Sequence, residues 1–302
     1  MTETDPVGHP SQLRPGLLYG FAAYLLWGGF PFFFVSVKPA GPWEILGQRI
    51  AWTFVVCAVV LLVRRDLGWI RPVLRRPRLV GGLALAAGLI AVNWVVYVNA
   101  VITNHTSEAA LGYFLNPLIT VALGVLVLRE RLRVLQWTAV AIGTVAGVFL
   151  AVVAGQVPLT ALALAVSFAL YSLAKNRVGA SLQALHGLAI ETTVLLPIAL
   201  VLLIPMAGML GTTFVGYGSL HTALLVLSGP VTAAPLLLFA AAARRVPLVT
   251  IGLLQFLTPV MQLLAALALG EHVSPARWAG FGIVWLALAV LTVDMLRQRP
   301  SR

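Results

Sequence analysis

The chain has 302 residues, of which 60% are hydrophobic and 10% are charged, with a mean hydropathy of +0.99 and a formal net charge of +11. This composition excludes an ordinary water-soluble domain, and the single cysteine, Cys57, excludes a disulfide framework. The basic residues lie in short segments between apolar runs. Membrane orientation and contact with anionic lipid therefore explain the net charge without a nucleic-acid partner.

Ten apolar segments of membrane-spanning length follow one another along the chain. A helix needs roughly 20 residues to cross the hydrocarbon core, and each segment is close to that length. The predicted spans are residues 15–37, 43–63, 80–102, 107–128, 135–154, 158–175, 187–205, 220–242, 248–269 and 277–296. The sequence therefore predicts an all-α integral membrane protein with ten transmembrane helices in a lipid bilayer.

The basic residues occupy alternate gaps between these spans. Of the 20 lysines and arginines, all except Lys38, Arg49 and Arg277 lie in the two tails or after the second, fourth, sixth and eighth spans. Cytoplasmic loops are enriched in Lys and Arg. We therefore expect a multi-pass protein of the inner (plasma) membrane with both termini in the cytoplasm.

The two halves of the chain resemble each other weakly. Corresponding spans share spacings between polar or aromatic residues: Glu130 to Trp137 and Glu271 to Trp278, seven apart, and Glu44 to Arg49 and His186 to Glu191, five apart. Because five spans is an odd number, the second copy must be inverted relative to the first. Inverted repeats are common in secondary transporters, whose substrate site lies near the midplane.

We therefore predict two inverted five-helix repeats, residues 14–155 and 156–297. They are flanked by a disordered cytoplasmic tail at 1–13 and a short cytoplasmic tail at 298–302.

Arg49 and Glu191 are charged residues that lie a helical turn or more inside predicted spans. Arg49 is about two turns from the outer end of the second span, and Glu191 is about one turn from the cytoplasmic end of the seventh. Such groups are functional candidates, because charge is costly within a membrane. Each could instead snorkel to the headgroups or form a structural interhelix pair. Glu44 and Gln48 are expected to lie on nearby faces of the same helix as polar neighbours of Arg49.

Five spans carry polar or aromatic residues at helical spacing. These are Tyr24, Gly28 and Pro31; Asn93 and Tyr97; Tyr113, Asn116 and Pro117; Ser167, Tyr171 and Lys175; and Gln255, Thr258 and Gln262. Each set alone is explained by interhelical hydrogen bonds worth about 0.6 kcal/mol. Five such sets, several beside proline, favour a shared polar cavity.

Candidate roles in this cavity follow from side-chain chemistry. Arg49 would receive an anionic group of a small-molecule substrate. Hydrogen-bonding side chains would orient that substrate and aromatic side chains would enclose it. The candidates are Asn93, Tyr113, Asn116 and Gln255 for orientation, and Trp27, Trp94 and Tyr171 for the walls. Glu191 would couple or gate transport.

Seven segments together resemble the RarD branch of the EamA-type drug/metabolite transporters, also called the chloramphenicol-sensitivity family. They are AAYLLWGGFPFFF (22–34), WEILGQRIAWTF (43–54), NWVVYVNAV (93–101), SEAALGYFLNPL (107–118), RERLRVLQW (129–137), IETTVLLP (190–197) and GLLQFLTPV (252–260). The resemblance extends from about Leu13 to Arg297. It implies ten helices, an inner-membrane location and secondary transport, often export, of small organic solutes.

Two positions depart from the pattern of that family. Gln48 stands where His is common before the second-span arginine, and Phe256 stands where Tyr is common before the ninth-span proline. Both changes remove groups that could relay a proton. If transport is proton-coupled, the resemblance then leaves Glu191 or Glu108 as the carrier.

The leading hypothesis is a secondary transporter that works by alternating access, as a monomer or a homodimer. The alternatives are a membrane scaffold or accessory subunit that transports nothing, an intramembrane enzyme, and a uniporter or exchanger without protons. The sequence contains no Walker A, G-x-S-x-G or H-E-x-x-H motif and no metal-ligand spacing. We therefore expect neither enzymatic activity nor a metal or other cofactor.

Overall fold

The computed structural model describes residues 10–102, 106–154, 159–179, 182–205, 211–268 and 275–297. Within these ranges the secondary structure is helical, without strands. The helices are α1 (Pro10–Gly28), α2 (Phe30–Ser36), α3 (Pro42–Val63), α4 (Ile70–Leu74), α5 (Pro77–Ile102), α6 (Thr106–Leu128), α7 (Val134–Ala154), α8 (Leu159–Gly179), α9 (Ala184–Pro205), α10 (Ser219–Ala243), α11 (Leu248–Leu254), α12 (Leu257–Ala268) and α13 (Pro275–Arg297). Helix α1 thus begins inside the segment expected to be a disordered tail.

Two of the apolar segments are each divided into two helices. Helix α1 ends at Gly28, Gly29 separates it from α2, and Pro31 has no N–H to continue the helical bonding. Between α11 and α12, Pro259 cannot bond to the carbonyl of Gln255, which instead accepts from the N–H of Thr258 at 3.1 Å. Both breaks place backbone polar groups in the middle of apolar segments, which is tolerated where they are buried in protein or line a cavity.

The outer surface of the helices is apolar, as a bilayer requires. Six helical stretches are long and apolar enough to cross a membrane, and shorter apolar helices lie at residues 115–128, 134–149 and 278–294. Large aliphatic side chains such as Leu126 and Val134 point outward, with exposed fractions of 78% and 81%. This apolar exterior is that of a multi-pass membrane protein.

The helices pack across the two halves of the chain. Helix α3 packs on α9 and α10, α8 lies against α5 and α6, and α1 contacts α10 and α12. Helix α6 also contacts α11, and α7 contacts α13. The largest buried apolar cluster joins α1, α3, α5, α8, α9, α10 and α11. The elements that carry the predicted polar stripes are therefore neighbours.

The antiparallel pair α3 and α9 is tied at both of its ends. Glu44, at the start of α3, accepts hydrogen bonds from the hydroxyl of Thr212, from the backbone and side chain of Thr213, and from the N–H of Phe214, all beyond α9. At the other end His186, near the start of α9, lies 2.7 Å from the Asp66 carboxylate beyond α3. A residue near the start of α3 thus contacts the segment that follows α9, and a residue near the start of α9 contacts the segment that follows α3.

These contacts correct the expected surroundings of Arg49. Glu44 turns toward the segment beyond α9, and the Gln48 side-chain oxygen accepts from the indole N–H of Trp52 at 2.8 Å. Neither residue hydrogen-bonds to Arg49 in the described part of the chain.

Candidate functional site

A cavity of about 120 Å³ lies where four of the five polar stripes meet, those of α1 with α2, of α5, of α6 and of the α11–α12 break. Helices α1 and α2, α3, α5, α6, α8, α10 and the break between α11 and α12 all contribute to its wall. Its lining includes seven of the eight predicted binding residues: Trp27, Arg49, Asn93, Trp94, Tyr113, Asn116 and Gln255. Residues far apart in the sequence are therefore gathered around one internal space.

Arg49 is the only charged residue among the described residues that line this cavity. Its Nε donates to the hydroxyl of Thr232 on α10 at 3.0 Å. Its guanidinium carbon lies 4.8 Å from the ring centroid of Trp94, and 5.4 and 5.5 Å from those of Phe30 and Phe34. Cation–π contacts contribute about 0.5–2 kcal/mol each and carry no countercharge. The cavity therefore presents a positive charge held by aromatic rings, and no carboxylate among the described residues lines it.

Side-chain amides on three other helices are held in fixed positions. The amide nitrogen of Asn93 donates to the Leu164 carbonyl at 2.9 Å and to the Ser167 hydroxyl at 3.0 Å. Thr120 bridges two further amides, with its hydroxyl 3.3 Å from Asn116 Oδ1 and 3.1 Å from Gln255 Oε1. These bonds join α5 to α8 and α6 to the α11–α12 break.

Sequence reasoning did not identify Thr120 as part of this network. It lies four residues after Asn116 on α6, so the same helical spacing could have indicated it.

Two polar atoms of lining residues have no hydrogen-bond partner among the described residues. They are the hydroxyl of Tyr24 and the amide nitrogen Nε2 of Gln255, and both are buried. An unsatisfied buried polar group costs about 1–3 kcal/mol. The guanidinium of Arg49 is the charged donor that the described lining offers to a solute that brings acceptors, such as a carboxylate or a carbonyl.

Tyr171 does not line the cavity, unlike the other predicted wall residues. It is fully buried and stacks on Phe239 of α10, with ring centroids 5.7 Å apart and an interplanar angle of 15°. Phe239 also contacts Trp27 and Phe168, which do line the cavity. Tyr171 therefore belongs to an aromatic cluster that forms one boundary of the cavity.

Glu191 lies beyond this aromatic cluster and not at the cavity. Its Oε1 is 2.7 Å from Nζ of Lys175, and both side chains are buried. Lys175 also lies 5.9 Å from the ring centroid of Tyr171. A continuous series of contacts therefore runs from the cavity through the aromatic cluster to the ion pair.

The ion pair corrects the interpretation of Lys175 as a loop residue. Helix α8 continues to Gly179, so Lys175 is inside it and buried rather than in a cytoplasmic gap. The intramembrane partner of Glu191 is Lys175 on the neighbouring helix. The side chain of Glu108, the other candidate carrier, lies outside the described residues.

Comparisons with known proteins match this chain to a family of membrane transporters. Residues 14–153 match the family model of the EamA-like transporter family. Protein RarD of Streptomyces exfoliatus is 48% identical over 97% of this chain and 93% of its own. An uncharacterized transporter of Pseudomonas aeruginosa is 42% identical over 95% of this chain and 96% of its own. A solved crystal structure shares the fold, with a TM-score of 0.66, 22% identity, and coverage of 92% of this chain and 98% of that one.

Proposed function

The chain belongs to the EamA-like transporter family, and on that premise we propose that it is a secondary active transporter that exports a small organic metabolite or drug by alternating access. The relatives are named as RarD proteins and transporters, which supports transport rather than catalysis. No cofactor is part of the proposed mechanism.

The observation that carries this proposal is Arg49 in the cavity, which has no carboxylate partner among the described residues. A guanidinium held away from bulk water without a carboxylate is costly unless something binds it. A scaffold would gain nothing from such a group, whereas a binding site gains a strong contact for an anionic solute. Asn93, Asn116, Tyr113 and Gln255 then orient the solute through hydrogen bonds. Trp27 and Trp94 supply apolar walls.

The packing of the helices supports ten spans in two inverted repeats. In this arrangement α1 with α2 and α11 with α12 each form one span, and α4 lies in an arginine-rich loop. The contact of α1 with α10 then corresponds to that of α8 with α5, and α3 with α10 corresponds to α9 with α5. In three other contacts, the two helices are each other's counterparts in the two repeats: α3 with α9, α6 with α11, and α7 with α13. We propose that the helices span the inner membrane and that their arginine-rich ends lie on its cytoplasmic side.

The Lys175–Glu191 pair acts as the gate and coupling site in this proposal. It lies at the arginine-rich end of α8 and α9, with the aromatic cluster between it and the cavity. Alternating access requires that end of the cavity to open, so the contacts from Phe239 to Glu191 must rearrange. Protonation of Glu191 removes the attraction that holds the pair and so links opening to a proton.

The test is solute flux in proteoliposomes loaded with a metabolite panel. Wild-type protein should move at least one solute, and Arg49→Ala should abolish that flux while the protein stays folded and monodisperse. Arg64→Ala is the matched control, because Arg64 is an exposed cation at the end of the same helix. Flux that survives Arg49→Ala would contradict the assigned binding role. No flux and no ligand-induced thermal shift for wild type would favour a scaffold instead.

Proton coupling has its own measurement. An imposed pH gradient should drive wild-type flux, and flux that ignores the gradient would indicate a uniporter or an exchanger without protons.

A further inference from the structure

A second cavity of about 250 Å³ lies at the arginine-rich end of the helices. Its wall is formed by the start of α1, the segment joining α6 to α7, and α11. The residues used below are Leu13 and Leu17 on α1, Arg131 and Arg133 between α6 and α7, and Thr250 and Leu253 on α11.

Of the three charged residues that line this cavity, Glu130 and Arg133 have partners and Arg131 has no carboxylate partner among the described residues. The carboxylate of Glu130 accepts from the backbone N–H groups of Leu248 and Val249 at 2.8 and 2.7 Å, at the start of α11. Arg133 forms an ion pair with Asp294 of α13. Arg131 is exposed and has no carboxylate partner among the described residues. Among the described lining residues, Arg131 is therefore the cation that is available to a solute.

The two cavities lie along the same pair of helices. On α1, Leu17 lines the second cavity and Tyr24 lines the central one, seven residues or roughly 10 Å further on. On α11, Leu253 lines the second cavity, and Gln255, at the helix end, lines the central one. Along α1 about two helical turns separate the two cavities.

Gly20 of α1 and Leu254 of α11 approach each other closely in this interval. A Cβ atom at Gly20 would lie 2.8 Å from Cδ1 of Leu254, so the two helices touch with no side chain on the α1 side. Rotation of the Leu254 side chain, or a small shift of α11 past α1, opens this contact without unfolding either helix. A larger side chain at position 20 would block it.

We propose that the second cavity is a vestibule of the transport route, in which Arg131 receives the anionic group of a solute passing between the cytoplasm and the central cavity. This rests on the proposed transport function. A cation at the mouth raises the local concentration of anions and speeds their capture, and Arg49 then receives the same group in the central cavity. The vestibule thus selects organic anions before they reach the binding site.

The first test uses inside-out membrane vesicles supplied with a ¹³C-labelled cell extract, with accumulation measured by mass spectrometry. Wild type should accumulate one or more organic anions relative to vesicles without the protein. Arg131→Gln should raise the half-saturating concentration of that anion at least fivefold at low salt and change the maximal rate by less than twofold. High salt should shrink the difference, because screening weakens capture by charge. Arg75→Gln, an exposed cation of another arginine-rich segment, is the control and should have no such effect.

The second test places a thiol in the vestibule. The only cysteine, Cys57, is buried and is replaced by alanine, and Thr250→Cys is then reacted with a membrane-impermeant maleimide. The accumulated anion should slow labelling, and Arg131→Gln should remove that protection. Arg75→Cys should be labelled without protection. Adding Gly20→Leu should stop accumulation while protection at Thr250→Cys remains, because the anion still reaches the vestibule.

The outcomes separate this proposal from the transport function. Accumulation with equal effects of Arg131→Gln and Arg75→Gln, or without protection at position 250, would overturn the vestibule and leave transport standing. An Arg131 effect seen in proteoliposomes with phosphatidylglycerol but absent in phosphatidylcholine would assign the cavity to a lipid headgroup instead. If wild type accumulates nothing from the extract, the transport proposal fails and the vestibule fails with it.

Discussion

Lys175 on α8 and Glu191 on α9 form an ion pair with 2.7 Å between Nζ and Oε1 and side-chain exposed fractions of only 6% and 3%. Two charges removed from water attract each other strongly, but each has lost its hydration. The attraction between the two charges therefore roughly offsets the cost of their lost hydration. Loss of either partner leaves an isolated charge inside the protein. This makes the pair a suitable contact for a gate that opens on protonation.

The balance can be measured with methionine substitutions. Lys175→Met or Glu191→Met alone should lower the free energy of unfolding by about 3–5 kcal/mol, because each leaves an unpaired buried charge. The double variant should recover most of the lost stability, since it removes both charges. Thermal unfolding of the purified variants in one detergent checks this. Additive losses in the double variant would show that the two side chains do not act as a pair.

Thr232 should tune the affinity of the central cavity without being essential to it. Its hydroxyl accepts the hydrogen bond from Nε of Arg49, and Thr232→Val removes that bond while keeping the shape of the side chain. A net hydrogen bond to a charged group is worth about 1.5–3 kcal/mol, so the half-saturating solute concentration should rise tenfold or more.

The matched control for Thr232 is Thr144→Val. Thr144 is exposed on α7 and bonds to the Val140 carbonyl of its own helix. It should leave flux unchanged. Equal effects of the two substitutions would indicate a general loss of fold rather than a loss of Arg49 orientation.

Gly229 permits the close approach of α10 to α3. A Cβ atom there would lie 2.5 Å from the backbone carbonyl carbon of Trp52. Backbone cannot yield as a side-chain end can, so Gly229→Ala should destabilise the protein by about 1–3 kcal/mol through overpacking.

At Gly81 the same substitution to alanine should stabilise the protein rather than destabilise it. No atom lies within 4 Å of a Cβ at Gly81 on α5, and alanine favours a helix over glycine by about 1 kcal/mol. Gly81→Ala should therefore raise the melting temperature slightly, whereas Gly229→Ala lowers it. A similar change at both positions would contradict the packing of α3 against α10.

Glu130 should stabilise the start of α11. Its two carboxylate oxygens accept from the backbone N–H groups of Leu248 and Val249. Glu130→Gln keeps one acceptor but loses the charge, and Glu130→Ala loses both acceptors. The melting temperature should fall in that order, with the alanine variant about 2–3 kcal/mol less stable than wild type. Unchanged melting in both variants would show that α11 does not depend on this contact.

Much of the candidate site could be predicted, because helical spacing alone brings residues to one face. Asn93, Tyr113, Asn116 and Gln255 were each identified by a polar stripe, and all of them line the central cavity. Arg49 was identified because charge within an apolar segment is rare. Tyr171 was also in a stripe but faces the aromatic cluster, because spacing gives a face of a helix and not the element opposite that face.

The ends of two helices were harder to predict. Lys175 looked like a loop cation, since hydropathy falls near the end of its segment, yet α8 continues past it. The division of α1 from α2 and of α11 from α12 follows from glycine and proline that the sequence displays, but the same residues also occur inside unbroken helices such as α10.

The sequence by itself determined that this chain is helical and apolar on its surface, that basic residues cluster in alternate gaps, and that polar side chains share helix faces. Those properties depend on composition and on periodicity within single elements. The tertiary structure decided which faces meet. It paired Glu191 with Lys175, turned Glu44 to residues 212–214 and set Glu130 at the start of α11. These partners lie 16 to 170 residues apart, and no local spacing specifies which of several available groups each carboxylate will bind.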